Sequence, residues 1–245
     1  MLPFAPFGYD KRELTCLLWN VEGFISLMKT PEICLLEQDM LILTETFLRE
    51  PVTLPGYYAA HSLAAVGPEG RPSGGVSCLF RPSMGQVVDE YAERDVVIVT
   101  FEHLIVIGMY IRPTAKTEFA IETILHALER AGGRKPILLG GDFSCRKDKP
   151  DRKAVTVFET LEEEGFSLVN EGTIPTYVAH NGSSVIDLVF YRGKEIRISR
   201  QDHLWTPIRK HIPIQTGFTL KGGKPPLMNN KQLQDISTPP CLTDF

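Results

Sequence analysis

No stretch of this chain is apolar for long enough to cross a bilayer as a helix. The most apolar segment, residues 95–110, is broken by Glu102 and His103, and a spanning helix needs about 20 apolar residues. The first ten residues carry neither a basic opening nor a long apolar core, so a secretory signal is not expected. Cysteine is sparse and unpatterned: five residues (16, 34, 78, 145 and 241), odd in number, widely spaced and without a C-x-x-C. That excludes a disulfide framework or a cysteine zinc site and points to a reducing compartment, cytoplasmic or nuclear. Positive charge is not in excess either. Lys plus Arg is 26 against 30 for Asp plus Glu, a net charge of −4. A non-specific nucleic-acid coater is therefore excluded, but not an enzyme that holds one phosphodiester through local contacts and a metal. Internal repeats and low-complexity tracts are missing as well.

What is present is ordinary globular composition, 43% hydrophobic and 23% charged over 245 residues. A chain of this length buries enough surface to need no staple. Short runs rich in Val, Ile, Leu, Phe and Tyr predict strands at 14–19, 40–43, 75–80, 86–88, 96–101, 104–110, 136–139, 184–190 and 212–218. Helical spacing predicts helices over 117–131 and over 152–164, with Gly165 as a stop. A weaker helix over 24–38 is interrupted near Pro31. Many strands with a few dispersed helices point to a layered α/β sandwich. Cys16 and Cys78 fall in apolar runs and read as core thiols. Residues 1–12 read as an extension, 13–220 as one domain, and 221–245, rich in proline and poor in apolar periodicity, as a disordered tail.

Polar residues cluster where strands end, and rigid strands position loop residues there. Asn20 and Glu22 follow an apolar run and could share a ligand, or simply form an Asx turn. Glu45 ends four apolar residues, a costly place for a carboxylate unless it is paired or bound to a hard cation such as Mg²⁺; otherwise it faces solvent. Asp142 follows a buried-strand pattern and two glycines that permit close backbone approach, or it is a turn aspartate. Asp187 lies inside an apolar strand and needs a partner. A histidine would suit, its tautomer fixed by the carboxylate; an arginine or backbone amide would serve a structural pair. His211, placed at the opening of the last strand, is the candidate, and a satisfied core or surface histidine is the alternative. Tyr110 either donates to a phosphate oxygen or caps a sheet rim.

In order, the motifs are W-N-V-x-G (Trp19 to Gly23), T-E-T (Thr44 to Thr46), Y-x-x-P (Tyr110 to Pro113), G-G-D-F (Gly140 to Phe143), S-x-I-D (Ser184 to Asp187) and H-x-P (His211 to Pro213). This order resembles the endonuclease/exonuclease/phosphatase superfamily, which includes DNase I and the apurinic endonucleases, over residues 14–220. The stretches R-P-S-G-G-V at 71–76 and N-E-G-T-I-P-T-Y-V-A-H-N-G-S-S-V-I-D-L-V-F at 170–190 resemble the endonuclease domain of non-LTR (LINE-type) retrotransposons. Signatures of the inositol-phosphatase and sphingomyelinase branches are not seen.

The resemblance implies a four-layer sandwich, two packed mixed β-sheets flanked by helices. It implies hydrolysis of DNA phosphodiesters with Mg²⁺ or Mn²⁺. It makes Glu45 the metal ligand, helped by Asn20 and Glu22, and gives His211, paired with Asp187, the scissile phosphate. Asp142 orients or deprotonates the attacking water, and Tyr110 donates to the phosphate or the leaving oxygen. DNA is the implied partner, with a reverse transcriptase or other protein partner outside this chain; no membrane is implied.

Two positions depart from the family pattern. Ser144 stands where the family writes Asn, a change from two donors and an acceptor to a short hydroxyl. Lys210 stands where the family's S-D-H has its acid, moving the local charge by two units; it either weakens metal binding or turns outward to bind phosphate. Both leave room for a catalytically degenerate relative that binds nucleic acid or protein. A phosphomonoesterase or lipid-headgroup phosphatase on the same fold is a third reading, which the retrotransposon-like stretches disfavour. The pair in Q-D-H, Asp202 with His203, is an alternative register that lacks the following x-P.

Overall fold

The computed structural model describes residues 12–67, 70–170, 174–206 and 209–221. The expected extension and tail lie, apart from Arg12 and Lys221, outside the described residues. In chain order the strands are β1 (Leu14–Asn20), β2 (Met40–Thr44), β3 (Tyr58–Ser62), β4 (Ala65–Val66), β5 (Pro72–Ser73), β6 (Val76–Phe80), β7 (Val87–Glu93), β8 (Val96–Phe101), β9 (Ile105–Tyr110), β10 (Ile137–Asp142), β11 (Ser167–Leu168), β12 (Tyr177–Ala179), β13 (Gly182–Ser184), β14 (Asp187–Arg192), β15 (Ile196–His203) and β16 (Ile214–Leu220). The helices are α1 (Phe24–Leu27), α2 (Thr117–Ala131) and α3 (Arg152–Glu163).

Two six-stranded sheets form, in the orders β15-β16-β1-β2-β6-β3 and β11-β14-β10-β9-β8-β7. Each has one parallel pair at its centre, β1 with β2 and β9 with β10, and antiparallel neighbours elsewhere. The period of two along β1 explains the layering. Cys16 and Leu18 point into the core between the sheets, while Leu17 and Trp19 point outward against Phe24, Leu27 and Leu36. The outer face of the second sheet is covered by α2, through Ala120, Ile124 and Leu128, and by α3, through Ala154, Val157 and Leu161. The result is four layers, helix, sheet, sheet, helix.

Gly108 and Gly140 are register partners on the neighbouring strands β9 and β10. A Cβ at Gly108 would meet Cys78 Sγ at 2.7 Å, and one at Gly140 would meet Ile42 Cδ1 at 2.9 Å. Side chains of the facing sheet fill the space that these glycines leave.

The apolar runs anticipated the central strands and both long helices. Three expectations need correction. The run at 184–190 is two elements, a hairpin strand ending at Ser184 and β14, which opens on Asp187, so Asp187 stands at a strand end and not within one. His211 does not open the last strand, which starts at Ile214; it forms an isolated bridge with Tyr177. The weak helix over 24–38 is α1 followed by a 3-10 turn, Pro31–Leu35. Cys16 and Cys78 are buried core thiols, as expected, and burial pushes both well above the usual thiol range.

Candidate active site

The strands carry their polar residues to one edge of the sandwich. Asn20 ends β1, Glu45 follows β2, and Tyr110 and Asp142 are register partners at the ends of the parallel pair β9 and β10. Asp187, the first residue of β14, is in turn the register partner of Asp142. Parallel strands end together, which is why residues as far apart in the chain as Asn20 and Asp142 meet here.

Asn20 is fully buried at the centre. Its Nδ2 donates to Glu45 Oε2 at 3.0 Å and to Asp142 Oδ2 at 2.9 Å, and its Oδ1 accepts the Glu22 backbone N–H at 3.1 Å. The Tyr110 hydroxyl donates to Glu45 Oε1 at 2.6 Å. His211 Nδ1 lies 2.9 Å from Asp187 Oδ2. Asp142, Asp187 and His211 are all buried and bring ligand atoms within 4.8 Å of one another. Glu22, Glu45 and Ser144 adopt left-handed backbone at φ 43°, 48° and 47°, a conformation disfavoured for non-glycine residues and often found at functional sites.

The electrostatics follow from burial. Burial and the charge of Asp187 push the Asp142 carboxyl up to about 7, against the pull of His211, Asn20 and the Ser144 N–H. Burial also opposes a charged His211 ring. Asp187, through charge and hydrogen bond, and then Asp142 and Glu22 outweigh it, and the ring is raised to about 9. The Tyr110 phenol is raised by burial and by its bond to Glu45, so it is a donor at any working pH.

Several supporting residues were not singled out in the sequence. Thr176 Oγ1 accepts the Ile186 and Asp187 N–H groups, at 3.0 and 2.9 Å, and its carbonyl accepts the Ile212 N–H at 2.7 Å, so one residue ties the Asp187 and His211 backbones together. Asn170 Nδ2 donates to the Asp187 carbonyl at 2.8 Å. Tyr177 lays its ring 4.8 Å from the His211 ring, and Trp19 Nε1 donates to the His211 carbonyl at 3.0 Å. Thr176, Tyr177 and Asn170 lie within the retrotransposon-like stretch, a signal that carried no residue-level detail.

The two altered positions are both in place. The Ser144 N–H donates to Asp142 Oδ1 at 2.8 Å, and its hydroxyl is a long 3.4 Å from the same atom. Lys210 Nζ stands 3.8 Å from Glu22 Oε1, with the Lys210 N–H 3.5 Å from Glu22 Oε2, so its exposed side chain turns toward a candidate ligand. The alternative register fails: Asp202 and His203 sit on edge strand β15, where His203 contacts Gln201.

The donors fit a hard divalent cation. Glu45, Glu22 and the Asn20 amide oxygen are ligands of the kind Mg²⁺ takes, together with waters and substrate oxygens. His211 Nδ1 is committed to Asp187. Among the described residues the buried Asp187 Oδ1 has no hydrogen-bond donor, and a bound water would satisfy it. A broad depression of about 1190 Å³ between β7 and α2, lined by Tyr91, Phe119 and His126, shares no residue with this site.

Residues 17–214 match the model of the Endonuclease/Exonuclease/phosphatase family, and the chain belongs to that family, whose members are hydrolytic phosphodiesterases and nucleases that use divalent metals. No curated protein matches by sequence. Among solved structures, the chain is similar to the endonuclease domain of TRAS1, a telomere-specific non-LTR retrotransposon, at 17% identity and a TM-score of 0.67, covering 85% of this chain and 99% of that one. It is similar to the 3′-5′ exonuclease NExo of Neisseria meningitidis, at 18% identity and a TM-score of 0.57, covering 84% and 100%. It is also similar to ANGEL2, a 2′,3′-cyclic phosphatase, at 13% identity and a TM-score of 0.58, covering 86% and 96%. These likenesses establish the DNase I-like fold. No helix among the described residues is long and apolar enough to cross a membrane.

Proposed function

We propose that the chain hydrolyses DNA phosphodiester bonds as a nicking endonuclease that needs Mg²⁺ or Mn²⁺. The observation that carries the reading is the Asn20 amide bridging Glu45 and Asp142 beside the buried Asp187–His211 pair. Asp142, raised toward neutrality, takes the proton of the attacking water. His211, kept protonated by Asp187, donates to a non-bridging phosphate oxygen, where charge accumulates. Tyr110 donates to the phosphate or the leaving oxygen. A divalent cation held by Glu45, with Glu22 and Asn20 adjacent, supplies Lewis-acid polarisation when bound. DNA as substrate is supported by the retrotransposon-like stretches and by two relatives, the TRAS1 endonuclease domain and a Neisseria phosphatase bound to a product DNA hairpin.

Lys210 against Glu22, with the shortened side chain at Ser144, favours one second reading: a degenerate relative that keeps the fold and binds nucleic acid or protein. A supercoiled-plasmid assay with Mg²⁺ and with EDTA separates the two. The endonuclease nicks with Mg²⁺ and stops with EDTA, Glu45→Gln or His211→Ala. Nicking that survives both substitutions rejects this assignment of roles. An inert parent whose Ser144→Asn/Lys210→Asp double variant nicks identifies the degenerate relative.

A further inference from the structure

Glu45 holds a left-handed backbone conformation at φ 48°, and Phe47 repeats it at φ 54°. A loop with two such residues does not keep its shape by local preference. Its support is a glycine pair: the Thr46 N–H donates to the Gly75 carbonyl at 3.2 Å and the Phe47 N–H to the Gly74 carbonyl at 3.1 Å. The glycines are gripped in turn. Asp95 Oδ1 accepts the Gly75 N–H at 2.8 Å, and Asp95 Oδ2 accepts from Arg112 Nε at 2.9 Å. The rest of the Arg112 guanidinium donates to Ser73, from Nη1 to Oγ at 2.8 Å and from Nη2 to the carbonyl at 3.1 Å. A Cβ at Gly74 would lie 2.2 Å from Asp95 Oδ1 and 2.6 Å from Arg112 Nη2, so no larger residue fits between the loop and the pair. The Asp95 carbonyl also accepts the Tyr110 N–H at 2.8 Å. One ion pair, with Asp95 buried and Arg112 partly so, thus reaches both partners of the Tyr110–Glu45 hydrogen bond.

We propose that Asp95 and Arg112 are positioning residues that hold Glu45 and Tyr110 in register for cation and phosphate. The inference rests on the cation-dependent reading of the site above. Neither residue touches the reacting groups. Arginine suits the task because its planar fork spends donors on two partners at fixed angles, which a lysine ammonium cannot reproduce. A pair that merely braced the fold would change thermal stability and leave cation affinity alone.

The test measures Mn²⁺ affinity by electron paramagnetic resonance of the free ion, and the Mg²⁺ concentration for half-maximal plasmid nicking. Both are read on the wild type and on Arg112→Lys, Asp95→Asn and Ser73→Ala, with folding checked by circular dichroism. Arg112→Lys and Asp95→Asn should weaken Mn²⁺ binding and raise the Mg²⁺ requirement by about 10–100-fold, the range for residues that orient a metal ligand. Ser73→Ala, which removes one hydroxyl from a half-buried position, should shift both in the same direction by a smaller factor, and it decides the matter if the other two do not fold. Folded variants with lowered Tm but wild-type Mn²⁺ affinity and Mg²⁺ requirement overturn the proposal. A wild type that binds Mn²⁺ without nicking defeats the endonuclease reading alone, because the Mn²⁺ affinities still measure positioning. A wild type that binds no Mn²⁺ overturns both.

Discussion

Asp142 and His211 set the pH behaviour of the site from opposite roles. In the mechanism proposed above, Asp142 acts ionised and His211 protonated. With the carboxyl raised to about 7 and the ring to about 9, kcat/KM should follow a bell whose plateau lies between those values. A profile that keeps rising past pH 10 would remove His211 as the acid. Stability should move the other way. Both groups hold their protons more tightly folded than unfolded, against ordinary values of 3.8 and 6.5. Each contribution is complete below its unfolded value and is lost as pH climbs through the folded one. Without divalent cation, Tm should therefore fall from pH 6 to pH 10, and added Mg²⁺ should recover more of it at the high end, where Asp142 is charged. Ser144 makes a separate prediction. Its left-handed φ of 47° suits asparagine, whose short polar side chain tolerates that region. Ser144→Asn should stabilise by about 0.5–1 kcal/mol, read as a Tm gain of roughly 1–4 °C for a chain of this size, whether or not nicking increases. Lys210→Asp should raise Mn²⁺ affinity by about tenfold or more, since an ammonium 3.8 Å from Glu22 becomes a carboxylate.

At the scale of elements, legibility tracked apolar density. β2, with the run M-L-I-L-T and no exposed position, and α2, with a buried face of Ala120, Ile124, Ala127 and Leu128, announce themselves. β3 and β15 do not. Y-A-A-H-S and I-R-I-S-R-Q-D-H are edge strands that bury only part of each face, and their pairing is set by the neighbouring strands. β7 extends through Asp89 and Glu90 for the same reason. The strand ends mattered most and were blurred: Asp187 and His211 owe their contact to the Thr176 bridge, a tertiary arrangement with no local signature. The packing of the two sheets gives this scale its own prediction. Gly108→Ala places a methyl against Cys78, Ile42 and Val76, all within 3.0 Å. The sheets must part to admit it, and overpacking of this kind costs about 1–3 kcal/mol. Chemical denaturation should show that loss, and Cys78→Ala in the same background should return part of it.

For the whole molecule, the motif order fixed the family and the edge of the sandwich where polar residues gather, because parallel strands that end together bring distant motifs into contact. Which carboxylate meets which donor was not readable: Asn20 as the bridge between Glu45 and Asp142 depends on the register of two sheets. Global charge was readable, and it constrains how substrate is held. A chain of net charge −4 gains no long-range attraction from DNA, and many of its described cations are already spent internally. Arg112 is bound to Asp95, Arg146 to Asp148, Arg130 to Asp89, and Arg209 donates to the Val21 carbonyl. On the proposed DNA reading, affinity would come from a handful of local phosphate contacts around the site and from the cation. Each phosphate neutralised contributes a slope of about −0.9 in log affinity against log salt. With no more than about four such contacts, raising salt from 50 to 200 mM should weaken binding of a catalytically silent His211→Ala variant by no more than about 150-fold, well short of the roughly 10³–10⁵-fold loss of proteins that grip six to ten phosphates. A steeper loss, measured by fluorescence anisotropy with a short duplex, would mean that an extended basic track contacts the DNA and that recognition is not confined to the site.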